Sequence, residues 1–169
     1  MDFIRRHKVA VLGGGAALLV VVAVLAFGVF GVHTLFIDDK VDEANPFAEP
    51  AAVVDPEATT PTTEAAPVIT TVATGQFQAR DHPAEGVANV ITDGTQTFLR
   101  FEDGFATDNG PDLNVYLSTA PADGDSGAFD DDFVDLGGLK GNIGAQNYEL
   151  DPSLDLGRYQ SVVVWCVRF

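Results

Sequence analysis

Apolar residues are distributed along the chain in two different ways. From Val9 to Ile37 they run almost unbroken, as "VAVLGGGAALLVVVAVLAFGVFGVHTLFI", with no charged side chain. After Gly75 they come as short runs separated by turn residues: "GQFQAR", "GVANVIT", "QTFLRF", "LNVYLS", "DFVDLGGL", "QNYEL" and "SVVVWCV". Runs of that length, recurring every ~8–12 positions, predict strands. No stretch holds an apolar 3.6-residue period over three turns, and Asp93-Gly94 between two runs is a hairpin signal. The pattern predicts an all-β domain over residues 75–169, an antiparallel β-sandwich of seven to eight short strands.

The unbroken run predicts a single transmembrane helix. About 20 apolar residues span a bilayer core, so residues 9–37 are long enough with some tilt. Arg5, Arg6 and Lys8 precede the run, and Asp38 and Asp39 follow it. The positive-inside rule then puts residues 1–8 in the cytoplasm and everything after the helix outside the cell membrane. The competing reading is a cleaved signal peptide. Its apolar segment is usually only ~7–15 residues long and ends at a small-x-small site. No Ala-x-Ala exit precedes Asp38, so an uncleaved single-pass anchor is expected.

Residues 38–74 differ from both neighbours. They hold eight acids, one lysine and five prolines, with Thr/Ala repeats as in "EATTPTTEAAP". Repeated proline blocks helices and ladders, and the apolar surface is too small to offset chain entropy. A disordered, extended spacer is expected, with Thr59-Thr60-Pro61-Thr62-Thr63 either plain or O-glycosylated.

Charge narrows the range of partners. The chain carries 25 acids against nine Lys+Arg, a net charge of −16 and a pI near 4.1. Such a field repels polyanions, which excludes nucleic acid as a partner. The expected partners are the lipid bilayer, through the N-terminal helix, and a redox or cell-surface protein. Nothing has the order of a Ser-His-Asp enzyme, a zinc HExxH or a glycine-rich nucleotide turn, so an enzyme is not indicated.

Several separated motifs stand in one order: Asn109-Gly110-Pro111-Asp112-Leu113 before "VYLS", then "LGGLKGNIGAQNY", then "VWC". In this the segment from Gly75 onward resembles the DM13 domain, a small extracellular module. The resemblance implies a β-sandwich-like fold and redox or electron-transfer chemistry through one cysteine, which here corresponds to Cys166. A histidine of the family pattern corresponds to His82.

Cys166 is the only cysteine, so it cannot staple its own domain. Outside the cell an unpaired thiol is unusual, since disulfides form there. One reading makes Cys166 a small buried hydrophobe; the other gives it a metal, a haem or another chain as partner. His82 is the natural companion, because imidazole and thiolate together suit a soft transition metal, and a nearby histidine also favours thiolate. A shared metal or cofactor site at His82 and Cys166 is therefore the expectation, against a loop histidine that bonds only its neighbours. Strand alternation puts Val162, Val164, Cys166 and Arg168 on one face and Ser161, Val163 and Trp165 on the other. Both faces are mainly apolar, which predicts a central or well-covered strand.

A second candidate is the loop "DGDSGAFDDD", where Asp123, Asp125, Asp130, Asp131 and Asp132 offer oxygens to calcium. It fails the EF-hand register, and a solvated loop is the alternative. A redox module working through Cys166 and a cell-surface binding or adhesion module with a structural cysteine are the two functions left open.

Overall fold

The computed structural model describes residues 8–29, 37–48 and 68–168. It is mostly β, with antiparallel sheets built from nine strands. The Thr59–Thr63 segment and residues 1–7, 30–36 and 169 lie outside the described residues. Helix α1, Lys8–Val24, is 17 residues long and is followed by a π-helical turn, Leu25–Val29. Among the described residues no helix is long and apolar enough to cross a membrane. The anchor expected over residues 9–37 is therefore not shown: α1 stops at Val24, and part of the run lies outside the described residues.

The strands are β1 (Thr70–Gln76), β2 (Ala84–Glu85), β3 (Val87–Thr92), β4 (Thr97–Phe101) and β5 (Ala106–Thr107), then β6 (Leu113–Ser118), β7 (Phe133–Gly138), β8 (Gln146–Glu149) and β9 (Ser161–Cys166). One sheet has the order β1-β3-β4-β8, another β7-β6-β9, and β2 and β5 form a small ladder. The expected count of seven to eight rises to nine because β2 and β5 are two residues each, too short to leave an alternating pattern. The Asp93-Gly94 hairpin closes β3 onto β4, with Thr92 opposite Thr97 and Gly94 at φ 91. Asp93 Oδ1 accepts from the backbone N–H groups of Thr95 and Gln96, which sets the turn.

The inward positions of both larger sheets meet in one core. Leu99 and Phe101 of β4, Val115 of β6 and Leu150 after β8 are sealed from solvent. Phe101 packs against Phe77, Phe105 and Tyr148 at centroid separations of 4.9, 4.7 and 5.5 Å. Burial pushes the Tyr148 phenol up to about 12, and its hydroxyl donates to Gln146 Oε1 at 2.6 Å.

Part of the expected spacer is not free. Residues 37–48 lie along the 141–145 loop and the outer edge of β8. Lys40 bridges Ile143 in parallel, and the N–H groups of Val41 and Glu43 donate to Ile143 and Ala145 carbonyls at 2.9 Å. Asn142, almost fully buried, donates to Asp38 and to the Thr107 carbonyl and accepts from the Asp39 N–H. The Glu43 carboxylate takes two bonds from Lys140 Nζ and one from the Asn147 N–H. Burial opposes ionisation of Glu43, but the Lys140 and Asn147 contacts outweigh it, and its pKa is lowered. Buried Arg100 reaches the Glu43 carbonyl and Asn147, and Phe47 meets Phe98 edge-on at 5.4 Å. β1 likewise begins at Thr70, inside the stretch expected to be spacer. Composition argued for a featureless segment here, but fixed partners on the folded domain offset the entropy that composition alone cannot.

Candidate redox site

Strand β9 differs from its expectation. It is an edge strand, paired with β6 on one side only, and all six of its residues are half-buried. Two apolar faces argue for cover, but here they border a cleft of about 800 Å³ that runs between β9 and the equally outermost β1. The inner face of the strand borders this cleft, and the outer face is apolar because it meets the Tyr116 side of β6.

Cys166 lies on the wall of that cleft, half-buried. Leu113 of β6 stands opposite it in the ladder, and the next N–H, of Val167, donates to the Asp112 carbonyl at 2.9 Å. Arg168 Nε donates to Asp112 Oδ2 at 3.1 Å. The Asp112 carbonyl and carboxylate thus fasten the end of the strand that carries the thiol. Trp165 takes the other face, its ring stacked with Tyr116 at 6.4 Å, while Tyr116 stacks with Phe133 at 4.1 Å. Burial together with the charges of Asp135, Asp130 and Asp112 raises the Tyr116 phenol. The aromatic layer holds β9 from outside while Val162 and Val164 pack against the core. Cys166 follows those valines on the inner face.

His82 lines the same cleft. Its Nδ1 is 3.2 Å from Asp108 Oδ2, and both side chains are largely exposed. The segment that carries it, residues 77–82, is pinned at three points. Phe77 is set into the aromatic core. The Arg80 guanidinium donates to the Ala122 and Gly124 carbonyls at 2.6 and 2.7 Å, over the Phe129 ring. His82 itself meets Asp108. Arg80 was not singled out by sequence reasoning, since an arginine that binds carbonyls 42 and 44 residues away leaves no local signal.

The donors do not make a metal site. Among the described residues no group of three or more His, Cys, Asp or Glu side chains converges to hold an ion. Cys166 and His82 line one cleft, with Asp108 beside the imidazole, but the three do not converge on one point. The acidic loop is likewise not drawn together. Asp125 caps the short 3₁₀ turn Ser126–Ala128 by accepting from the Gly127 N–H, and Asp132 pairs with Arg158 at 2.7 Å. Asp123, Asp130 and Asp131 join no such cluster. Asp125 and Asp132 thus serve a turn and an ion pair, and among the described residues the five carboxylates form no cluster for calcium.

A family model described as "Electron transfer DM13" matches residues 76–169, more than half of the chain. The chain belongs to the DM13 family. The match spans β1's last residue through β9 and so takes in His82, Cys166 and the cleft lining apart from residues 72–75 of β1. No curated protein matches the chain, and no solved structure does.

Proposed function

We propose that this DM13 protein is a membrane-tethered, extracellular electron-transfer module, a two-sheet sandwich whose working group is the Cys166 thiol. The observation that carries the reading is the place of the sole cysteine, half-buried on the wall of the cleft rather than sealed in the core. The family description supports the electron-transfer class. The basic flank and the uncharged run from Val9 to Ile37 support the tether and its orientation.

A single thiol cannot cycle through an internal disulfide, so its exchange is with a partner. The Cys166 thiolate attacks a partner disulfide, a new S–S bond forms, and the partner's second sulfur leaves as thiolate. His82 and Asp108 lie along the approach to the cleft and would contact whatever enters. The test is intact-mass analysis of the full chain incubated with glutathione disulfide. A mixed disulfide at Cys166 is the expected product, and none should form with Cys166→Ser. A Cys166 that resists both glutathione disulfide and small alkylating reagents in the folded protein would refute the redox role. Removal of the β-domain by protease added to intact cells checks the topology.

A further inference from the structure

We infer that the β1–β9 cleft is a binding site for a neutral lipophile, an apolar body with a carbonyl-bearing head of the alkyl-quinone class. The choice of a quinone rests on the electron-transfer reading above; binding of a neutral lipophile does not.

Three observations lead there. The cleft is about 800 Å³, within the range of small-molecule sites, and its solvent-reached apolar walls include Val72, Phe77, Leu113, Leu156, Val162 and Val164. It opens between two strand edges that have no paired neighbour among the described residues, where Val72 is exposed and every β9 residue keeps partial access to solvent. An apolar trough of this size left in water is unfavourable by its apolar area, and a ligand that fills it recovers that term. Polar groups border the apolar wall, and those of the 77–82 and 107–109 segments include Gln78, His82, Asp108 and Asn109. The Gln78 amide and the His82 ring can donate to a carbonyl head, and Asp108 can accept from a hydroxyl, while the body lies along the valines.

Charge selects among lipophiles. The chain's net charge is −16, and Arg80, the one cationic side chain bordering the cleft among the described residues, is spent on the Ala122 and Gly124 carbonyls. Asp81 and Asp108 stand at the same border. A fatty-acid carboxylate, a phosphate or any other anionic head meets the repulsion of two carboxylates there, against a single guanidinium whose Nη2 is already bonded to backbone carbonyls. An uncharged head does not.

The experiment uses the full chain in phospholipid nanodiscs and follows the emission of Trp165, the only tryptophan, which sits on the strand that walls the cleft. The probes are a fully substituted decyl-benzoquinone, its redox-inert decyl-dimethoxybenzene counterpart, and dodecanoate. Both neutral probes are expected to change the emission saturably, and dodecanoate to bind at least about tenfold more weakly. Val162→Phe fills the trough and Val72→Asp puts a charge on its exposed lip. Each should weaken the neutral probes about tenfold, and the lip change does so without touching the core. The dimethoxybenzene probe cannot exchange electrons with a thiol, so its binding separates loss of the site from loss of thiol chemistry. Absence of saturable binding by both neutral probes, or equal binding of dodecanoate, overturns the proposal.

Discussion

Residues 37–48 cover the β8 edge with backbone and side-chain hydrogen bonds, a Lys140–Glu43 ion pair and the Phe47–Phe98 contact. On the opposite flank, among the described residues, no strand pairs with the outer edge of β1 or of β9, and a cleft lies between them. Both flanks began with the same difficulty, an edge strand with unpaired backbone groups. The protein closes one with a preceding piece of its own chain and keeps the other open beside its only thiol. The closed flank is built from polar, geometrically specific partners, whereas the open one is apolar and sparsely bonded. The difference separates a device that holds the domain together from a surface left available for binding.

The most severe way to break the contrast is to remove what both flanks lean on. Phe101→Ala deletes the centre of the aromatic cluster, next to Phe77 on the cleft side and Tyr148 on the closed side. A loss of about 3–5 kcal/mol is expected in denaturant titration.

A paired substitution sharpens the contrast. Gly144 has φ +98, and a Cβ there would collide with the Val41 carbonyl, so Gly144→Val should free residues 37–48 and cost about 2–3 kcal/mol. Gly75 on β1 has open space where its Cβ would sit, and Gly75→Ala should stay within about 0.5 kcal/mol. Limited proteolysis should cut residues 37–48 in the first variant alone. Equal effects at the two glycines would remove the distinction between the flanks.

Alkaline titration probes the closed flank from within. The folded Tyr148 phenol titrates at about 12, above its unfolded value, so its contribution is fully present below about pH 10 and is lost as pH rises through 12. Ultraviolet phenolate absorbance should show one tyrosine titrating at about 12, moving down in urea.

The smallest expected effect is acidic. The Glu43 pKa is lowered in the fold, so its stabilisation is present above the unfolded value, about 4.3, and is lost as pH falls through the lower folded value. Protease protection of residues 37–48 should decline over that acidic window, and Glu43→Gln should flatten the decline. The exchange of the cleft's own amides should not follow it.

Much of the strand plan was legible along the chain. "LNVYLS" is β6 residue for residue, "SVVVWCV" contains β9, and Asp93-Gly94 is the turn it signals, because alternation and turn chemistry are local properties. The opposition of Trp165 and Cys166 across β9 also follows from strand parity alone, and the Tyr116–Trp165 stack places the indole on the outer face. The solitary thiol, the acidic field and the absence of familiar catalytic motifs were equally readable, since each is a matter of composition or order.

What the tertiary structure alone decided is where the edges fall and what covers them. Two apolar faces on β9 cannot distinguish a buried central strand from an edge strand beside a cleft, because both need apolar side chains on each side. The acidic, proline-bearing start of the spacer carries no periodic signal, yet Asn142, Lys140, Arg100 and the close approach allowed by Gly141 and Gly144 bind it, from 57 to 104 positions away along the chain. His82 and Cys166 come to one cleft by the same kind of long-range closure, through ladders that pair residues distant in sequence. Local chemistry chose the strands; the pairing of distant surfaces, which depends on shape and mutual burial, chose the site.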